Sequence, residues 1–154
     1  MEKRQPAQAM IKFHFLKVAP LKNRKLLKQF LHHQFVLHHK SLEDLKIIFC
    51  SDGYLLKLNR QFLQHDYLTD ILTFNLAYPN KPVQGEVYIS VERVLDNSNL
   101  MASSFAEELH RVIFHGLLHL LGYNDKTKSQ QRKIRQQEEK ILKSYQRYVS
   151  RGTK

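Results

Sequence analysis

His110-Arg-Val-Ile-Phe-His115-Gly-Leu-Leu-His119-Leu-Leu-Gly122-Tyr-Asn-Asp125 is the stretch from which the rest of the chain can be read. Its apolar residues recur at helical spacing, so His115 and His119, four apart, project from one face of a helix. Gly122 supplies a natural helix stop, after which the chain can turn back and present Asp125. Two imidazoles from one helical turn and a returning carboxylate make a three-point metal site with room for water, the arrangement of a catalytic rather than a closed structural centre. A His-x-x-x-His pair by itself is more often a hydrogen-bonded surface pair. Here the strongly apolar flanks, the stop at Gly122 and the carboxylate just beyond it favour a site. On a helical wheel Phe105, Leu109, Val112, Gly116, Leu117 and Leu120 make a core side, and Glu108, Arg111, His115 and His119 form a separate stripe. Gly116 stands where zinc proteases of the His-Glu-x-x-His type carry their general base, which disfavours that chemistry.

Outward from this helix, periodicity assigns the other elements. Ile11, Phe13 and Phe15 alternate with Lys12 and His14 as a strand. Beyond Pro20, residues 23–39 read as a helix with Leu27, Phe30, Leu31 and Phe35 inward. Residues 45–50 form an apolar strand. Ser51-Asp52 caps a helix running to Leu63, with Leu55, Leu58 and Phe62 inward and Asn59 on the same side. Residues 70–75 and 85–90 read as strands, with a loop at Pro79–Pro82, and a helix covers 91–99. Ser104 with Glu107 is a capping-box pattern ahead of the His-bearing helix. Residues 128–149 read as a final helix with Ile134, Ile141, Tyr145 and Tyr148 on one stripe. Glu138 shares that stripe, which marks it as a buried or ion-paired carboxylate. The order βαβαββααα implies an α+β fold: one small domain, a mixed four-stranded sheet covered by about five helices.

The chain has 154 residues, 42% of them hydrophobic, enough for one packed core. Residues 10–150 read as that domain, behind a flexible polar extension over residues 1–9. The single cysteine, Cys50, sits in an apolar strand and permits no internal disulfide, as suits a reducing cytoplasm. Lys12, His14 and Lys17 interrupt the first apolar stretch, so it reads as neither signal peptide nor membrane span. The net charge of +11 is uneven: residues 1–40 carry +8, residues 41–125 carry −5, and residues 126–154 carry +8. Long solvated helices often carry such lysines. Beside a metal site, basic ends around an acidic middle point to a polyanion such as nucleic acid. His32, His33, His38 and His39 show no ligand pattern and read as a solvated or RNA-facing cluster, and His110 lies off the metal stripe.

The run His115-Gly-Leu-Leu-His119-Leu-Leu-Gly122-Tyr123 resembles the signature of the YbeY family of bacterial endoribonucleases and ribosomal-RNA maturation factors. Leu58-Asn59, Phe62, Asp66 and Thr69-Asp-Ile-Leu-Thr-Phe74 are similar to a second segment of that family, and Gly85-Glu-Val-Tyr-Ile-Ser90 to a third. The resemblance implies a zinc-dependent endoribonuclease that acts on small-subunit ribosomal RNA, with RNA and the ribosome as partners. Two positions depart from the pattern. Aspartate stands at 125 where the family usually has a histidine ligand, and a harder oxygen donor loosens selectivity toward manganese or iron. Leu63 stands where the family typically has an arginine; either Arg60 or Arg111 substitutes for it, or cleavage is weak. The expected mechanism has His115, His119 and Asp125 holding Zn²⁺, with Arg111 supplying positive charge at phosphorus. Asp70 and Glu108 are candidate general bases, against plain structural roles at a strand entry and in a first helical turn. The alternatives are a non-catalytic ribosome-binding factor with a structural metal, and an iron oxygenase, whose two-histidine, one-carboxylate triad usually sits on a β-barrel.

Overall fold

The computed structural model describes residues 9–16 and 21–152. The polar extension expected over residues 1–9 lies, but for Ala9, outside the described residues, as do Lys17 and Pro20. The elements are β1 (Met10–Phe15), α1 (Arg24–Leu37), β2 (Leu42–Cys50), α2 (Asp52–Leu63), β3 (Ile71–Asn75), β4 (Val83–Ser90), α3 (Val91–Leu100), α4 (Phe105–Leu120) and α5 (Lys128–Gly152). This is the expected order of four strands and five helices. β2 and β4 each begin earlier than their apolar patterns suggest, because Leu42 pairs with Val83 and extends the ladder beyond those patterns.

The sheet runs β1-β2-β4-β3. β1, β2 and β4 are parallel, and β3 is antiparallel to β4, so the sheet is mixed. Strand alternation divides the apolar residues between its two faces. On one face Leu45, Ile47, Phe49, Val87 and Ile89 meet α1, α4 and α5 in the main core. On the other, Cys50 and Leu72 meet Leu55 of α2 in a smaller cluster bordered by Leu58, Phe74 and Tyr88. Burial first, and then the negative charge of Asp52, push the Cys50 thiol up to about 11, so it is an inert core group. Phe62 departs from the expected inward stripe: near the C-terminal end of α2 it is 60% exposed, with its ring edge-on to Phe74 at 6.3 Å.

Helix α4 is the centre of the molecule. From Val112 to Leu120 every residue except His115 and His119 is buried, including Ile113, Phe114 and Leu118, which the helical wheel left off the core side. The wheel assumes one covered face, whereas α4 lies between the sheet, α3 and α5 and is covered almost all round. Gly116 permits the close approach to the sheet. A Cβ there would lie 2.8 Å from Ile71 Cδ1, 3.1 Å from Val87 Cγ1 and 3.2 Å from Thr73 Oγ1. The Ile71 methyl can swing away, but Val87 and Thr73 are β-branched and stiff. Overpacking of this kind costs about 1–3 kcal/mol, against about 1 kcal/mol gained in helix propensity. Gly116→Ala is therefore expected to lose on the order of 1 kcal/mol, seen as a lower urea midpoint; a higher midpoint would show that the sheet gives way freely.

Candidate metal centre

The site is built from the end of α4 outward. Ser104 starts the helix by accepting from the Glu107 amide at 3.1 Å. At the other end Gly122, with φ +106°, takes the left-handed conformation that a non-glycine residue resists. The Gly122 amide donates to the His119 carbonyl and the Tyr123 amide to the Leu118 carbonyl, both at 3.0 Å. This paired Schellman closure reverses the chain in one step. It brings Asp125 back over the helix end.

His115 Nε2 and His119 Nε2 lie 3.0 Å apart. Asp125 Oδ2 lies 3.5 Å from the first and 3.3 Å from the second. Tetrahedral ligands at zinc–ligand bonds of roughly 2.0–2.1 Å would stand about 3.3 Å from each other. The observed triangle has that size. The remaining ring nitrogens fix the tautomers. His119 Nδ1–H donates to the Tyr123 carbonyl at 3.0 Å, and a carbonyl can only accept. His115 Nδ1–H donates to the Glu138 carboxylate of α5. Both Nε2 lone pairs therefore face one point, where they repel unless a cation or a shared proton lies between them. A carboxylate and a carbonyl behind two imidazoles are also the usual outer support of metal-bound histidines. Nitrogen, nitrogen and carboxylate oxygen are donors that suit a divalent transition ion. The three side chains are 24%, 26% and 42% exposed, so the point they share opens to solvent.

Electrostatics agree with a cation site. Burial alone would lower the His115 pKa, but the Glu138 hydrogen bond and the charges of Glu138, Asp125 and Asp70 raise it above its usual value. Uptake of a cation must expel that proton, so affinity falls as pH drops through the elevated value. Asp70 lies at the entry of β3, and its carboxyl is pushed up by burial, with the charge of His115 opposing. Asn97 Nδ2 donates to it at 3.2 Å. Glu138→Gln is expected to keep the fold and lose about 10–100-fold in zinc affinity, measured by competition with a chelating dye. Unchanged affinity would show that His115 needs no carboxylate behind it.

The remaining residues singled out from sequence fall in several places. Glu138 is 9% exposed, as its place on the α5 stripe suggested, and its carboxylate meets His115. Arg111 precedes His115 on the same stripe, and its guanidinium contacts Glu107 at 3.8 Å, Glu108 at 3.4 Å and Glu139. Glu108 is 4% exposed, and burial raises its pKa against the pull of Arg111. Arg60 pairs with Asp66. Both cations considered as stand-ins for the arginine missing at Leu63 are thus engaged by carboxylates. Asn59 is buried, and its Nδ2 donates to the Tyr67 carbonyl at 3.0 Å. His38 Nδ1–H donates to the Gln34 carbonyl at 2.9 Å, and His110 packs edge-on against Tyr145. Sequence reading missed the Tyr123 carbonyl, because any residue carries that group, and the Asn97 and Glu139 contacts, because they join distant segments.

Comparison with known proteins bears on the same residues. A family described as Endoribonuclease YbeY matches residues 11–146. The Endoribonuclease YbeY of Amoebophilus asiaticus is 45% identical over 118 residues, covering 77% of this chain and 80% of the relative. That of Cytophaga hutchinsonii is 49% identical over 102 residues, covering 66% and 71% respectively. A solution structure of a Thermotoga maritima protein superposes with a TM-score of 0.58 at 27% identity, over 88% of this chain and 89% of that one. The resemblance first drawn on the run from His115 to Tyr123 thus extends along most of the polypeptide, and the chain belongs to the YbeY family.

Proposed function

We propose that this protein is a zinc-dependent endoribonuclease acting in the maturation and quality control of small-subunit ribosomal RNA. The observation that carries this reading is the convergence of His115 Nε2, His119 Nε2 and Asp125 Oδ2 on one solvent-open point in a YbeY-family chain. These three residues would hold the ion. When bound, a divalent cation there supplies Lewis acidity, polarising a phosphate oxygen or acidifying water. Glu138 and the Tyr123 carbonyl keep the two rings in the ligating tautomer. Asp70, with its raised pKa, accepts the proton released by the attacking hydroxyl. Arg111 keeps positive charge one turn from His115, and exchanges its more exposed partners Glu107 and Glu139 for a phosphate when RNA arrives.

Charge supports RNA as the substrate. Lys140, Lys143, Arg147 and Arg151 lie on the outward side of α5, opposite its buried stripe, and form no ion pair among the described residues. Such a row attracts phosphate backbone and suits the ribosome as a place of work. Among the described residues no helix is long and apolar enough to cross a membrane. With its only cysteine buried as an inert thiol, the protein is proposed to work in the cytoplasm.

The test is reconstitution. Protein stripped by a chelator should not cleave a small-subunit ribosomal RNA fragment, and zinc should restore cleavage, with manganese and iron(II) compared alongside. Cleavage by the stripped protein at the full rate would refute metal dependence. Zinc that restored the melting temperature without cleavage would assign the ion a structural role.

A further inference from the structure

Between α2 and β3 the chain runs Gln64-His65-Asp66-Tyr67-Leu68-Thr69-Asp70, and residues 64–68 are all exposed. Its backbone is held by groups other than its rings. The Asn59 side chain donates to the Tyr67 carbonyl at 3.0 Å, the Asn59 carbonyl accepts from the His65 amide at 3.2 Å, and Arg60 pairs with Asp66. On that frame the His65 and Tyr67 rings stack, with centroids 5.1 Å apart and planes 22° from parallel. The Tyr67 hydroxyl and His65 Nδ1 are hydrogen-bonded at 2.9 Å. Tyr67 is 57% exposed, so its ring adds little to the core, and the loop does not need it to keep its shape. What the pair provides is a flat aromatic surface, ordered in advance and facing water.

Its position gives that surface a use. Asp70, at the end of the segment, interacts electrostatically with His115. The next residue, Ile71, packs where a side chain on Gly116 would stand, beside His115. Two residues lie between Tyr67 and Asp70, so at most about 11 Å of chain separates them. Every RNA base has a π-face, and stacking on an exposed aromatic ring is a main source of affinity for unpaired strands. A ring already fixed by its neighbour loses little freedom when a base lands on it.

We infer that the His65–Tyr67 pair is a stacking platform for an unpaired base next to the phosphodiester held at the metal centre. The inference rests on the RNA-cleaving reading of that centre and adds the two residues that would receive the base. Paired bases cannot reach the platform, since their faces are covered within the helix.

The test uses full-length protein and two competitors of RNA cleavage, a short oligouridylate and an abasic oligoribonucleotide of the same length. Wild type should be inhibited by the base-bearing oligomer at roughly ten- to hundredfold lower concentration. Tyr67→Ala should close that gap, and Tyr67→Trp should keep it. The chain contains no tryptophan, so Tyr67→Trp also introduces a lone indole reporter. Its fluorescence should be quenched by the base-bearing oligomer and not by the abasic one, whether or not the preparation cleaves RNA. Equal inhibition of wild type by both oligomers, a gap that survives Tyr67→Ala, or an indole blind to bases would overturn the inference. Absence of cleavage with a base-dependent quench would instead overturn the nuclease reading alone.

Discussion

Purified His115→Ala and Asp125→Ala should each lose RNA cleavage by about a thousandfold or more, while circular dichroism and thermal unfolding show a folded protein. The magnitude follows from the several kcal/mol that a metal contributes to stabilising a transition state, at 1.36 kcal/mol per tenfold. Three donors converge here, and removing one leaves two nitrogens or a nitrogen and an oxygen, too few to hold the ion firmly. The two variants differ in their structural side effects. His115→Ala strips the partner from Glu138, a carboxylate 9% exposed, and an unsatisfied buried group costs about 1–3 kcal/mol. The Asp125 side chain is 42% exposed, so its truncation leaves no cavity. Loss of cleavage in both, with loss of stability mainly in His115→Ala, is the expected pattern. Cleavage at the wild-type rate by either purified variant would reject the three-ligand centre.

The largest effect on stability is expected from Phe114→Ala. Phe114 is fully buried one residue before His115, with the Phe30 and Tyr145 rings each 5.5 Å from its own. It thereby ties α1, α4 and α5 together on the main core face. Truncation of a buried phenylalanine costs about 3–5 kcal/mol, from lost transfer energy and the cavity left behind. Domains of this kind have only about 5–15 kcal/mol in total. The variant should therefore lose a large part of its stability in urea unfolding, or fail to accumulate. A loss below about 1 kcal/mol would mean that α1 and α5 close over the gap, and that the three-helix cluster is softer than its packing suggests.

The features that could be read from sequence were those whose causes are local. The spacing of His115 and His119, the stop at Gly122 and the return of Asp125 lie within one helix and its reversal, so periodicity and turn chemistry place them together. The strand alternations at Ile11–Phe15 and Val87–Ser90 were legible because each has a covered face. Phe62 was misplaced because a wheel assigns a face and not how far along the helix that face stays covered, and Phe62 stands one residue from the end of α2. Ile113, Phe114 and Leu118 were missed as core because burial almost all round a helix has no single-face periodic signature. Glu138 could be marked as an unusual carboxylate, but its partner lies 23 residues away on another helix, and only packing sets that register. For the same reason Glu139 of α5 was out of sight as a partner of Arg111, whereas Glu107 and Glu108 precede Arg111 by about one turn of the same helix, a spacing the sequence does show.

All three donor atoms come from residues 115–125, whereas the parallel pairings of β1 with β2 and of β2 with β4 join segments more than thirty residues apart. The centre therefore has low contact order, and its loop closes at small entropic cost once α4 and its reversal exist. In the proposed centre the three donors need only one short piece of polypeptide and not the completed sheet, while α5 adds the Glu138 support behind His115. If the proposed centre takes up its ion early in folding, that ion would clasp the end of α4 before the slower, long-distance strand pairing is complete.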